Sequence, residues 1–285
     1  MTAYSIWALE SSYIQEYPDS ALIWGTTEGA RRLPFPYFVI KGEGRVILVD
    51  TGFSDTEWGL EQFEHYGIKE FKRPDVILAR VGLTPEDVDT VIITHHHFDH
   101  ISGLRYFPNA TVYLQQREAE NYLTKITAPP RLKWLCAALD PNTGPDLLAI
   151  GAEGRLRLVE GVADVAPGLQ VRPAHDTHTA GSQYAVLESN DASDPWIFCG
   201  DVVYVYENVG GLEGTEPHVP VGYGQGNWEC CVRSSDEMVT VAGDNVRRLI
   251  PSHDVRLWDL FPTKTYEDGL HVTEIQLADG EPSKV

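Results

Sequence analysis

The chain has 285 residues, 42% hydrophobic and 22% charged, an ordinary balance for a globular protein with a substantial buried core. A formal net charge of −20 opposes contact with a phosphate backbone, which draws its favourable counterion release from Lys and Arg, so nucleic acid is excluded as a partner. No window approaches the ~18 apolar residues of a membrane span, and residues 1–12 lack the basic flank and small-residue cleavage site of a signal peptide, so the expectation is a cytoplasmic protein with no membrane partner.

Cys136, Cys199, Cys230 and Cys231 are too irregularly spaced for a disulfide framework and are read as reduced thiols. With no repeat, low-complexity tract or linker, one domain over residues 1–285 is expected. Residues 37–50, Y-F-V-I-K-G-E-G-R-V-I-L-V-D, form two β-runs around a Gly-Glu-Gly turn, and Thr51-Gly52 ends the second run. Residues 54–66 have helical periodicity with Trp58, Phe63 and Tyr66 facing inward, and Thr84-Pro85-Glu86-Asp87 has the form of a capped helix start. A short helix there feeds the apolar β-run 91–94. Further strands are predicted at 111–114, 155–159, 183–187 and 196–199, and Ser234-x-x-Glu237 predicts a capping box opening a helix that runs to about Arg248. Prolines and glycines interrupt residues 117–150, which are read as helices joined by turns and a candidate lid insertion. Alternating strands and helices predict an α/β fold.

The segment T-H-H-H-F-D-H, residues 94–100, follows the β-run of residues 91–94. In an extended loop His95 and His97 point to one side and can hold one ion, while His96 points away. Asp99 and His100, at the start of a helical turn, aim at a second point nearby. Zinc takes about four donors per ion, with one position left to water in a catalytic site, so these four residues need help from distant loops. His178 in A-H-D-T-H-T-A-G-S-Q, Asp201 after W-I-F-C-G and His253 after L-I-P-S each sit at the edge of a predicted strand.

In these segments the chain resembles the metallo-β-lactamase fold hydrolases. H-x-H-x-D-H is that family's hallmark, and the His-Thr-x-Gly, Gly-Asp and Ser-His-Asp segments occur here in the family's order. The resemblance implies a four-layer αβ/βα sandwich with a dinuclear centre. His95, His97 and His178 would hold one metal, Asp99, His100 and His253 the other, and Asp201 would bridge them. Asp50 in L-V-D-T-G would orient a ligating imidazole through its other nitrogen. His175 is the alternative to His178 but lacks the H-T-x-G context. Two divalent ions are implied, zinc first, with iron, manganese or cobalt also accepted by nitrogen and oxygen donors. His65, His96, His218 and His271 are expected to be satisfied surface or core histidines, and Cys199 a small buried residue.

D-V-V-Y, residues 201–204, is similar to the N-acyl homoserine lactonase branch, where a tyrosine three residues after the bridging aspartate reaches the carbonyl under attack. H-T-A-G-S-Q and S-H-D also look like lactonase segments, as in 4-pyridoxolactonase-like enzymes. The chain departs from that branch at Ser182, where many of its members carry histidine, at Ser252, which replaces a common glycine, and in a longer span between His100 and His178. The implied reaction opens the ring of a small lactone-like substrate by attack of a metal-bridging hydroxide. Tyr204 would act at the oxyanion and Asp99 would pass a proton to the leaving alkoxide. Thioester hydrolysis of the glyoxalase II type and β-lactam hydrolysis are the alternatives of the same class. The acidic charge weighs against phosphodiester cleavage. A catalytically silent metal-binding regulator is the alternative of another class, and for Tyr204 the alternative is packing beside its strand. The 204–228 loop, with Tyr223, Gln225 and Trp228, is read either as walling a pocket together with Trp24, Phe35 and Tyr37 or as a glycine-rich surface excursion. A homodimer is compatible with this reading.

Overall fold

Period-two alternation along the strands builds the layers. The computed structural model describes residues 3–188 and 194–285. Strands β1 (Tyr4–Pro18), β2 (Ala30–Gly42), β3 (Arg45–Val49), β4 (Ile68–Lys69), β5 (Thr90–Ile92), β6 (Thr111–Gln115) and β7 (Leu156–Val159) belong to one sheet. A second sheet holds β8 (Ala163–Ala166), β9 (Leu169–Pro173), β10 (Gln183–Leu187), β11 (Trp196–Phe198) and β12 (Leu249–Ile250). Strands β13 (Thr263–Thr265) and β14 (His271–Gln276) then return to the first.

Successive side chains on a strand point to opposite faces. Trp7, Leu9, Val39, Leu48 and Val91 therefore pack on one side of the first sheet with Ile77 and Leu78 of the helix Pro74–Ala79 and Leu147 and Ile150 of the helix Thr143–Ala152. Their neighbours Ile6, Ala8, Phe38, Ile40, Ile47 and Ile92 point the other way and meet Val171, Ala185, Leu187 and Phe198 of the second sheet. On that sheet's far side Tyr184, Val186 and Ile197 pack with Met238 of the helix Trp228–Val241. The result is the expected helix–sheet–sheet–helix sandwich.

The predicted hairpin forms, with Glu43 and Gly44 at φ 51° and 73° in the two-residue turn between paired Gly42 and Arg45. The helix Glu57–Tyr66 starts at Thr56, whose hydroxyl accepts from Gly59 N at 3.1 Å. Pro85–Asp87 starts as expected at Thr84, whose N–H donates to Asp87 Oδ2 at 2.8 Å, but makes only one turn. The expected helix from Ser234 to Arg248 is corrected. Its cap is Asn227, which accepts from Glu229 N and Cys230 N, so Ser234 lies inside the helix, which ends at Val241. Glu237 accepts from the Tyr184 hydroxyl at 2.8 Å, and residues 246–248 form one separate turn. No helix among the described residues is long and apolar enough to cross a membrane.

Strand direction positions the site. β3, β5 and β6 run parallel, as do β11 and β12, so each set aligns its carboxyl ends. Because β10 is antiparallel to β11, the loop before β10 lies beside the end of β11.

Candidate metal centre

The donors come from loops at this edge. Residues 95–100 follow β5, Asp50 follows β3, Asp201 follows β11, His253 follows β12 and His178 precedes β10. His95, His97, His178 and Asp201 each offer one ligand atom within 4.8 Å of the others, and so do Asp99, His100, Asp201 and His253. Asp201 belongs to both groups through different oxygens. Its Oδ2 lies 3.6 Å from His95 Nε2 and 3.4 Å from His178 Nε2, and its Oδ1 lies 3.1 Å from His100 Nε2 and 3.2 Å from His253 Nε2. One carboxylate therefore faces two donor sets. Asp99 Oδ2 lies 3.4 Å from His100 Nε2 and 3.7 Å from His253 Nε2.

Two of the inward-facing nitrogens are aimed by what their rings do behind them. His100 Nδ1 donates to Asp50 Oδ2 at 2.7 Å, and His253 Nδ1 donates to the Pro34 carbonyl at 2.8 Å. Asp50, held at φ 63°, also accepts from Thr94 N at 2.7 Å and from the Thr94 hydroxyl at 2.8 Å, which pins the loop at its origin. Gly200, just before Asp201, has φ 54°, and a Cβ there would lie 2.8 Å from Thr94 Cβ, so only glycine lets β11 end against that threonine.

Burial depresses His95 and His97 well below the usual imidazole range, with His100 and His178 respectively adding to the effect, and it lowers His178 to about 4. These three rings are neutral at pH 7, the form in which imidazole ligates. Burial also opposes a charge on His100, but Asp201, Asp99 and Asp50 outweigh it and raise that ring well above its usual value. Asp201 is held well below the carboxylate range, against burial, by His100, His253 and His95. His95 Nε2 and Asp201 Oδ1 are buried without a hydrogen-bond partner. Buried imidazoles and carboxylates converging on one point fit a cation, and this donor set suits a first-row divalent metal.

Beside the donors lies a cavity of about 210 Å³ lined by His97, Asp99, Asp201, Tyr204 and His253 on one side and by an apolar wall on the other. The Tyr204 ring centroid is 5.4 Å from those of His178 and His253, and its hydroxyl makes only a 3.4 Å contact with the Tyr223 carbonyl. Burial, with Asp201 adding to it, raises this phenol well above its usual pKa, so it remains a donor. Phe35 and Tyr223 line the cavity as expected, and Trp134, Ala137 and Ala138 contribute the 117–150 region. Trp24, Tyr37, Gln225 and Trp228 do not. Trp24 packs on Trp228 with centroids 4.5 Å apart, and Tyr37 is buried in the core. His175 belongs to neither donor group. His96 is buried, with Nε2 3.2 Å from Asn121 Oδ1, and Cys199 is a buried core residue. The reading of the sequence missed Tyr17, Tyr66, Ile14, Leu33 and Ile68 in the cavity wall, which carry no local signal because distant strands bring them together.

Residues 34–253 match the Metallo-beta-lactamase superfamily. An N-acyl homoserine lactonase from a Bacillus species is 29% identical over 185 residues, which span 62% of this chain and 66% of that protein. The crystal structure of a quorum-quenching N-acyl homoserine lactone lactonase superposes with a TM-score of 0.66 at 23% identity, covering 90% of this chain and 94% of that one. A dizinc quorum-quenching lactonase in complex with its product superposes with a TM-score of 0.65 at 16% identity, covering 98% and 96%. At these identities the superpositions speak for the fold.

Proposed function

Because the chain belongs to the metallo-beta-lactamase superfamily, as a metallo-hydrolase related to lactonases, we propose that it opens the ring of a small, uncharged lactone. One observation carries the reading: the protonated Tyr204 phenol lines a cavity that has no Lys or Arg in its lining among the described residues. A substrate carboxylate lying away from the metal donors would meet an apolar wall with no basic partner, which disfavours β-lactams and anionic thioesters.

In this proposal His95, His97 and His178 would hold one divalent ion and Asp99, His100 and His253 the other, with Asp201 common to both donor sets. Zinc is the proposed metal, and iron, manganese or cobalt suit the same donors. A divalent pair held there supplies Lewis acidity and a water activated near neutral pH. The Tyr204 hydroxyl exchanges its long contact with the Tyr223 carbonyl for the substrate carbonyl oxygen and donates to it as negative charge develops. Asp99, at the cavity edge of the donor set, takes up the proton given off by the attacking water and passes it to the ring oxygen as it leaves. The apolar wall holds the substituent and excludes water from the reacting carbonyl.

The test is elemental analysis followed by a panel of a lactone, a thioester, a β-lactam and a phosphodiester on the metal-loaded protein. About two ions per chain and a clear preference for the lactone are expected. Full activity with one ion would remove the two-metal reading, and preferential thioester turnover would remove the lactone.

A further inference from the structure

Between the two loops that carry the histidines of the first donor set lies a carboxylate that the proposed chemistry does not use. Glu118 is the third residue of the helix Gln116–Ile126, which follows β6, and it is 0% exposed. Its Oε1 accepts from His96 N at 2.8 Å and from the Thr179 hydroxyl at 2.7 Å, and its Oε2 accepts from Gly181 N at 2.7 Å. His96 lies between His95 and His97, and Thr179 follows His178. Thr179 is fixed in turn by Ser182, whose hydroxyl accepts from Thr179 N at 3.0 Å and lies 2.7 Å from the Thr179 hydroxyl. The approach is close as well as bonded: a Cβ on Gly181 would sit 2.3 Å from Glu118 N. A buried carboxylate is costly unless donors surround it, and here the donors come from both ligand loops and the first turn of a helix, whose dipole favours the charge.

We infer that Glu118 is a positioning residue that clamps the His95–His97 loop to the His178 loop and so sets the first metal position. None of its bonds reaches the helical turn Phe98–Ile101 that carries Asp99 and His100, or the loop of His253, so its influence is greater on one of the two neighbouring sites. Glutamine at this position presents an amide N–H to one of the backbone or hydroxyl donors, breaks one bond and removes the charge that holds the other two. The inference rests on the metal assignment proposed above.

The experiment isolates each site and reads cobalt(II) binding by its visible absorption. Wild-type protein should take up about two equivalents. Fewer than two would overturn the metal assignment itself, whatever Glu118 does. In a His253→Ala background, which leaves the first donor set complete, Glu118→Gln should weaken cobalt binding by about tenfold to a hundredfold and alter the absorption band. In a His97→Ala background, which leaves the second set complete, the same change should alter binding by less than about twofold. Thr179→Val keeps the carboxylate and removes one donor, so it should move the first site alone, by a smaller factor, and it serves where Glu118→Gln does not fold. Equal weakening of both sites would show a merely structural role, and no weakening of the first would show no role at all. Either result overturns the inference.

Discussion

The donor edge and the cavity wall are neighbours built in opposite ways. At the donor edge the five histidines and Asp201 are at most 3% exposed, and the rings of His100 and His253 are each fixed by a hydrogen bond on the side away from the centre. Across the cavity, Trp134 is 66% exposed and sits in the irregular turns Pro130–Cys136. The segment carrying Trp134 is tied to the donor edge through Ala138, whose carbonyl accepts from Phe98 N at 3.0 Å, and through Gln225, whose backbone N–H donates to the His178 carbonyl at 2.8 Å, whose Nε2 reaches the Leu135 carbonyl at 3.4 Å and whose Oε1 accepts from Lys125. Groups that must meet a developing charge are preorganised on strand ends, while Trp134 and its neighbours, which face the variable part of a substrate, sit on an exposed segment outside both sheets. The two regions should therefore fail differently when mutated.

The largest effect is expected at the residue shared by both donor sets. Asp201→Asn removes the charge that faces two cation positions and should lower kcat/KM by about 4 kcal/mol, on the order of a thousandfold, with loss of metal. His96→Ala removes a buried ring that points toward Asn121 and should cost far less activity, with metal retained. Equal losses of activity and metal in the two variants would mean that the loop has been assigned in the wrong register. Next comes Tyr204→Phe, which deletes one donor to the oxyanion and should cost about 3 kcal/mol, on the order of a hundredfold in kcat for a lactone. Metal content should not change, and a thioester serves as the control substrate. Unchanged lactone turnover would assign Tyr204 to packing and remove the observation that carries the proposed function.

Comparable in size, but read as stability and not as rate, is the pH dependence of folding in the metal-stripped chain. His178 titrates at about 4 in the fold because burial disfavours its charged form, against 6.5 for an ordinary imidazole. Above 6.5 the ring is neutral in both states and contributes nothing. As pH falls from 6.5 toward 4 the unfolded chain binds a proton that the folded chain refuses, so stability drops at about 1.4 kcal/mol per unit of pKa separation and then levels off below the folded value. Urea midpoints of the stripped protein should fall across that window, and bound metal should shift the fall to lower pH because it competes with protons for the same nitrogens. A flat profile would mean that the ring is not held neutral.

This contrast also explains what the sequence made legible. H-x-H-x-D-H works locally: alternation and one helical turn aim its four side chains, and the later donors announce themselves as His or Asp just beyond an apolar run. β1, at 15 residues the longest strand, went unseen because it buries Ser5, Glu10, Ser11 and Ser12 as well as its apolar residues, which erases the polar–apolar alternation. Glu118 was invisible for a related reason, since in Q-Q-R-E-A-E it looks like any acidic residue in the first turn of a surface helix, and only the fold brings Gly181 and Thr179 to it. Ser234-x-x-Glu237 misled because a capping-box pattern is short enough to recur inside a helix, while the true cap, Asn227, is followed by Trp228 and no acidic residue at the third position. The cavity wall was least legible of all, because Tyr17, Leu33, Tyr66 and Trp134 converge from four separate segments.

The smallest effect should appear in that wall, at Trp134. Its indole lines the cavity with its centroid 6.5 Å from that of Tyr223, and most of its surface is open to solvent, so only part of the ring is available to cover a bound substituent. Burying roughly 40 Å² of apolar surface there amounts to about 1 kcal/mol, or about fivefold in KM, for a lactone with an apolar arm. Trp134→Ala should raise KM by that factor for the substituted lactone while leaving KM for an unsubstituted one, kcat for both and metal content unchanged. The arm-dependent split matters more than its size. Loss of kcat on the unsubstituted lactone would mean that the wall is mechanically continuous with the donor edge through Ala138 and Gln225, and the difference drawn between the two regions would fail at the point where they touch.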